Sequence, residues 1–147
     1  MNGLAEKLVG AWTLVDWRIE YGDGRVTRPF GADAAGQLLY DADGCMSATV
    51  SAVARPRLDQ PNARDASDEQ KARAFDGYFH YAGNWHVEGE FVIHTISLAL
   101  NPDMTGTKQR RHARFEDAKH LELSAEETLD EAVTRRHVLA WRRVDDE

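Results

Sequence analysis

The feature that most constrains this chain is a pair of matching plugs at its two ends. Gly10-Ala11-Trp12 opens the first amphipathic run, and Ala140-Trp141-Arg142-Arg143 closes the last. In a closed β-barrel the first and last strands are neighbours, so both chain ends can seal the same end of the barrel. Short strands with tight turns fill the interval. Gly10 to Tyr21 alternates loosely and stops at the hairpin signal Gly22-Asp23-Gly24. Arg25 to Phe30 is short and ends against Pro29. Gln37 to Asp41 turns through Asp43-Gly44 into Cys45 to Val53. Tyr78 to Val87 and Phe91 to Leu100 pair across Glu88-Gly89-Glu90. Thr107 to Phe115 and His120 to Ser124 pair across Glu116-Asp117-Ala118, and Val133 to Val144 completes the set. The expectation is an all-β, up-and-down antiparallel barrel of about eight strands, a size that can hold one small ligand.

One segment departs from this pattern. Pro56 and Pro61 make Arg55 to Asn62 a loop. Ser67 with Gln70 three residues on forms a capping box, and Lys71, Ala72, Arg73 and Ala74 favour helix. A short inserted helix of about ten residues follows from these signals. It either gates the barrel mouth or clads an outer face. Residues 1–147 otherwise read as one domain, with no repeat, low-complexity tract or linker.

Charge and composition limit the function classes. The net charge of -7 argues against nucleic acid and anionic membrane surfaces, which need a basic face. No apolar run is long enough to span a bilayer as a helix. Met1 to Leu8 carries Glu6 and Lys7 and has no signal-peptide pattern. Cys45 is the only cysteine, so no internal disulfide can form, and a cytoplasmic location is expected.

The turn and strand motifs taken together resemble the bacterial and fungal lipocalin-like domain family. The matching residues run from Gly10-Ala11-Trp12 through Gly24-Arg25-Val26 and Pro29-Phe30-Gly31 to Gly36-Gln37-Leu38-Leu39-Tyr40. Asp43-Gly44-Cys45-Met46-Ser47-Ala48, Phe75-Asp76-Gly77-Tyr78-Phe79 and Tyr81-Ala82-Gly83 follow. Val92-Ile93-His94, Asn101-Pro102, Gly106-Thr107, Gln109-Arg110-Arg111 and Leu139-Ala140-Trp141 complete the series. The ordered set covers nearly the whole chain. The resemblance implies a calycin-like barrel with an internal cavity. It leaves activity open, because one scaffold serves several purposes.

Strand alternation sorts the polar residues, since positions two apart share a face. His94 shares its face with Val92, Ile96, Leu98 and Leu100, so it is expected inside. Phe79, Tyr81, Gly83, Trp85 and Val87 form the apolar face of their strand, with His80 and His86 turned to solvent. Gln109, Arg111, Ala113 and Phe115 face inward, and Lys108, Arg110, His112 and Arg114 form a solvated basic stripe. An inward Arg111 needs a carboxylate, a carbonyl or a ligand anion. Asp16, in step with Trp12 and Leu14, is a candidate internal partner. Leu139 and Trp141 bring His137 into or near the cavity. Tyr40, in step with Leu38, joins its wall. His80, His86 and His94 do not share a face, so no metal site is expected.

Two readings of function remain. In the first, the barrel is a cofactor-free enzyme of isomerase, cyclase or lyase type acting on a small, largely apolar carbonyl, enol or phenol. His94 serves as acid or base, Tyr81 is its partner, and Arg111 stabilises developing negative charge. Tyr40, Phe75, Phe79, Trp85 and His137 contact the ligand. In the second, the same residues anchor a small apolar or amphipathic molecule in a carrier. A haem bound through His137 or His94 rests on the histidines alone. A homodimer stays open. No nucleophile elbow, phosphate loop or dinucleotide fingerprint is present.

Overall fold

Alternation becomes a barrel here because each strand pairs antiparallel with the next and the last returns to the first. The computed structural model describes residues 3–128 and 134–145. Its elements are α1 (Gly3–Leu8), β1 (Gly10–Tyr21), β2 (Val26–Thr27), β3 (Ala35–Tyr40), β4 (Cys45–Ser51), α2 (Asp68–Asp76), β5 (Tyr78–Glu88), β6 (Phe91–Ala99), β7 (Lys108–Asp117), β8 (His120–Thr128) and β9 (Thr134–Arg143). Among the described residues the sheet order is β2-β1-β3-β4-β5-β6-β7-β8-β9, with β1 also bonded to β9. Eight strands therefore close a barrel, and β2 is an extra strand on the far half of β1. Val133, the expected start of the last strand, lies outside the described residues.

The plug at one end forms as the chain ends suggest. Trp12 lies opposite Arg143, and Leu14 lies opposite Trp141. Trp12 is 0% exposed. Its indole N–H donates to the Leu8 carbonyl at 3.0 Å. The Arg143 guanidinium lies 4.2 Å from the centre of the Trp12 ring and donates to the Val9 carbonyl at 2.8 Å. It also donates to the Lys7 carbonyl, so it satisfies acceptors that the end of α1 leaves open. Gly10 permits this approach: its φ is +132°, and a Cβ there would lie 2.7 Å from an Arg143 nitrogen. Helix α1 has no counterpart in the strand-based reading of the sequence. Its Leu8 joins the barrel core.

Two bulges shift the expected faces. The first lies between Leu14 and Asp16 on β1. An extra residue reverses which side chains point inward beyond it. Trp17 therefore enters the barrel and Asp16 leaves it. Asp16 pairs with Arg18 at 3.2 Å and Arg28 at 3.0 Å. The candidate Asp16–Arg111 pair does not form. The second bulge sets Gly83 opposite Ile96 but Ala82 opposite Leu98. A Cβ on Gly83 would sit 1.9 Å from the Thr95 carbonyl oxygen, so only glycine fits this approach. Beyond it Leu98 turns outward and is 66% exposed, against the expectation that it shares the His94 face.

Two other boundaries differ from expectation. β2 is only Val26–Thr27 rather than Arg25 to Phe30. β8 runs on to Thr128, past the expected end at Ser124. The inserted helix forms at the expected place, with both bonds of the Ser67–Gln70 capping box present. No described helix is long and apolar enough to cross a membrane.

Candidate functional site

The end opposite the Trp12 plug is hollow. A cavity of about 380 Å³ opens there, within the usual range for small-molecule sites. Its apolar wall includes Trp17, Leu38, Val50, Phe79, Leu123 and Leu139. Its polar lining includes Tyr81, His94, Gln109 and Arg111, with Glu126, Glu127 and His137 from β8 and β9. The alternation Met46, Ala48, Val50 on β4 and Leu38, Tyr40 on β3 shows why the wall is apolar: these inward positions are all buried.

A buried chain of three side chains lies at the polar side. His94 is 2% exposed. Its Nε2 lies 2.6 Å from the Tyr40 hydroxyl. Its Nδ1 lies 2.7 Å from the Tyr81 hydroxyl. Burial, with the positive charge of Arg111 adding to it, lowers the His94 pKa from 6.5 to about 3, so the ring is neutral. Burial also raises Tyr40 well above the ordinary tyrosine range. It raises Tyr81 as well, against the opposing positive charge of Arg111.

Arg111 comes inward as its strand alternation predicts, but with no acidic partner among the described residues. It donates to the Arg110 carbonyl at 3.1 Å and the Gln109 side-chain oxygen at 3.4 Å. Gln109 is itself held by Thr107 at 2.9 Å. Both Arg111 acceptors are neutral, so its charge is positioned but not cancelled.

A second polar group stands near the mouth. The Trp17 indole N–H donates to His137 Nδ1 at 3.4 Å, and His137 Nε2 lies 3.2 Å from Glu127. Arg135 pairs with the same carboxylate at 2.9 Å. Burial lowers the His137 pKa, although Glu127 pulls the other way.

Of the residues singled out from sequence, His94, Tyr81, Arg111, Phe79 and His137 line the cavity. Tyr40, Trp85 and Phe75 do not, which corrects their expected place in the wall. Tyr40 reaches the cavity only through His94. Trp85 packs on Tyr40 with ring centres 4.9 Å apart and donates to the Asp41 carbonyl. Phe75 is 48% exposed on α2. No residue of α2 lines the cavity, so this arrangement gives the helix no gating contact. Trp17 and Glu127 were missed in the sequence. The bulge after Leu14 hides Trp17 from strict alternation. Glu127 continues the Leu121, Leu123, Ala125 series and was legible there.

A closed antiparallel barrel with an internal cavity of this size defines a class of protein suited to binding small molecules. The chain belongs to the lipocalin-like domain family, whose model matches residues 9–144. Among solved structures, a redesigned β-barrel, b11L5F_LGL, is 10% identical with a TM-score of 0.45, over 96% of this chain and 95% of that one. EF1p2_mFAP2b bound to DFHBI is 13% identical with a TM-score of 0.44, over 95% of this chain and 96% of that one. No curated protein matches the sequence.

Proposed function

We propose that the barrel binds a small, largely apolar organic molecule with one oxygen-bearing end. The observation that carries this reading is the apolar cavity with Arg111 and Tyr81 in its lining, the arginine paired with no carboxylate among the described residues. The apolar body would lie along Leu38, Val50 and Phe79, and the oxygen would meet Tyr81 and Arg111. Trp17 and Trp141 line the same cavity, so their fluorescence reports occupancy. Native mass spectrometry of the protein mixed with a metabolite extract should retain a ligand with these features. A retained ligand that leaves the Trp17 and Trp141 emission unchanged would sit elsewhere and sink the reading.

The Tyr40–His94–Tyr81 chain favours a second reading, cofactor-free proton transfer in an isomerase, cyclase or lyase. Both nitrogens of His94 are engaged by tyrosines, so His94 would act as a relay and Tyr81 would touch the substrate. Both nitrogens of His137 also have partners, which leaves neither histidine a free lone pair for haem iron. Among the described residues no cluster of three or more His, Cys, Asp or Glu is placed to hold a metal. Tyr81→Phe separates catalyst from carrier. A catalyst loses turnover by roughly 10²–10⁴-fold with binding largely kept. In a carrier the same change weakens binding by about 1–3 kcal/mol and no turnover exists to lose.

A further inference from the structure

We propose that the inner cavity selects the ionised oxygen of its ligand, a phenolate, enolate or carboxylate, and that Tyr40 sets this preference without touching the ligand. The inference rests on the small-molecule reading above and adds the protonation state of what is bound.

The argument starts at Tyr40. Its hydroxyl is buried, and His94 Nε2 is its one hydrogen-bond partner among the described residues. If Nε2 carried the proton, the Tyr40 O–H would be left without an acceptor, at the cost of a buried unsatisfied donor. Tyr40 therefore donates and Nε2 accepts. A neutral imidazole then carries its proton on Nδ1, which donates to the Tyr81 oxygen at 2.7 Å. The Tyr81 oxygen thus accepts from His94. Its own O–H has no protein acceptor among the described residues and is free for the ligand.

A second observation points the same way. Trp141 lines the cavity and is 2% exposed, yet its indole N–H has no hydrogen-bond partner. Buried donors without partners are uncommon, and a bound acceptor would satisfy this one. Arg111 adds an uncancelled positive charge. The remaining acceptors nearby are already used: the Gln109 oxygen accepts from Arg111, and His137 Nδ1 accepts from Trp17. The acidic groups lie on β8, where Glu127 is tied to Arg135 and His137 and Glu126 is exposed. A neutral hydroxyl would bring a proton that neither the Gln109 oxygen nor His137 Nδ1 is free to accept. An ionised oxygen brings only lone pairs, and its hydrogen bonds to charged and neutral donors are the stronger for it.

The test uses 4-nitro-1-naphthol, whose neutral and ionised forms absorb differently, with 1-naphthoate and 1-naphthalenemethanol as carboxylate and neutral comparisons. Bound to the wild-type protein, the naphthol should ionise about one to two pH units lower than in solution. Arg111→Met should return it towards the solution value and weaken naphthoate by roughly tenfold or more, with little effect on the alcohol. In Tyr40→Phe, His94 is released to accept from Tyr81, which turns the Tyr81 proton away from the cavity. The bound naphthol should then ionise at higher pH than in wild type, although residue 40 is not in the cavity wall. If that variant does not fold, Tyr81→Phe carries the decision with the same expected direction. Nitrogen NMR of the ligand-free protein should find the His94 proton on Nδ1. A proton on Nε2, or a Tyr40→Phe protein with wild-type ionisation, overturns the role of Tyr40. Binding of the naphthol with unchanged or raised ionisation pH overturns the selectivity and leaves the small-molecule reading standing. Failure of the naphthol, the naphthoate and the alcohol to bind overturns both.

Discussion

The two ends of this barrel use similar residue types for opposite ends. At the Gly10 end an indole and a guanidinium are stacked, and each of their donor nitrogens meets a carbonyl of α1 or of nearby backbone. In the hollow above it Trp141 and Arg111 line a cavity, with an indole N–H unpartnered and a guanidinium that meets no carboxylate among the described residues. The difference lies in what covers them. α1 folds under the barrel and supplies acceptors, whereas α2 stays outside and supplies none to the cavity. Tryptophan and arginine thus form a plug where a helix end meets them and a binding surface where none does. Stability should be concentrated at the first end and ligand response at the second.

The sharpest way to break this contrast is Trp12→Ala. It empties the packed end and leaves the Leu8 carbonyl without its donor, so unfolding should become easier by about 3–5 kcal/mol. Chemical denaturation measures it; a loss below about 1 kcal/mol would place the main core elsewhere.

Acid should act next, and mainly through the cavity side. His94 has a folded-state pKa of about 3 against an ordinary 6.5. Above pH 6.5 neither the folded nor the unfolded chain protonates it. Below 6.5 the unfolded chain takes up a proton that the fold refuses, so stability falls as pH drops towards 3, at about 1.4 kcal/mol per pH unit. His137, also held low by burial, contributes with the same sign. Glu20 and Glu127, held low by Arg18 and Arg135, add losses only below the carboxylate range near 4.5. His94→Gln should therefore flatten the stability profile between pH 6.5 and 4.5 while leaving the steeper loss below it. A profile unchanged by His94→Gln would mean that the buried ring is not what acid attacks.

The smallest effect should come from α2. Phe75→Ala removes a half-exposed ring outside the cavity, so stability should change by less than about 0.5 kcal/mol. Hydrogen exchange in 68–76 should stay the same when the cavity fills. Slowed exchange there would make α2 part of the mouth after all and erase the asymmetry between the two helices.

Much of the barrel was legible because its signals are local. Turn residues, period-two alternation and the capping box act over a few positions, and they located most strands and α2. The inward placement of His94, Tyr81 and Arg111 follows from the same alternation. It failed where backbone geometry, not side-chain type, decided the face. The bulges beside Val15 and at Gly83 add one residue to one strand, and nothing in an alternating pattern marks where that residue goes. Asp16 and Leu98 were misplaced for this reason. α1 was missed because its six residues are stabilised by the core they close.

The sequence by itself determined a closed set of antiparallel strands, two ends joined by matching plugs and a polar side within an apolar barrel. Only the tertiary structure decided that His94 is enclosed between Tyr40 and Tyr81, that Arg111 pairs with no carboxylate among the described residues, and that one end is filled and the other hollow. Those outcomes depend on registers between strands far apart in the chain. A register is chosen by the packing of all eight barrel strands together, and one residue of slip would turn each of these side chains to the opposite face.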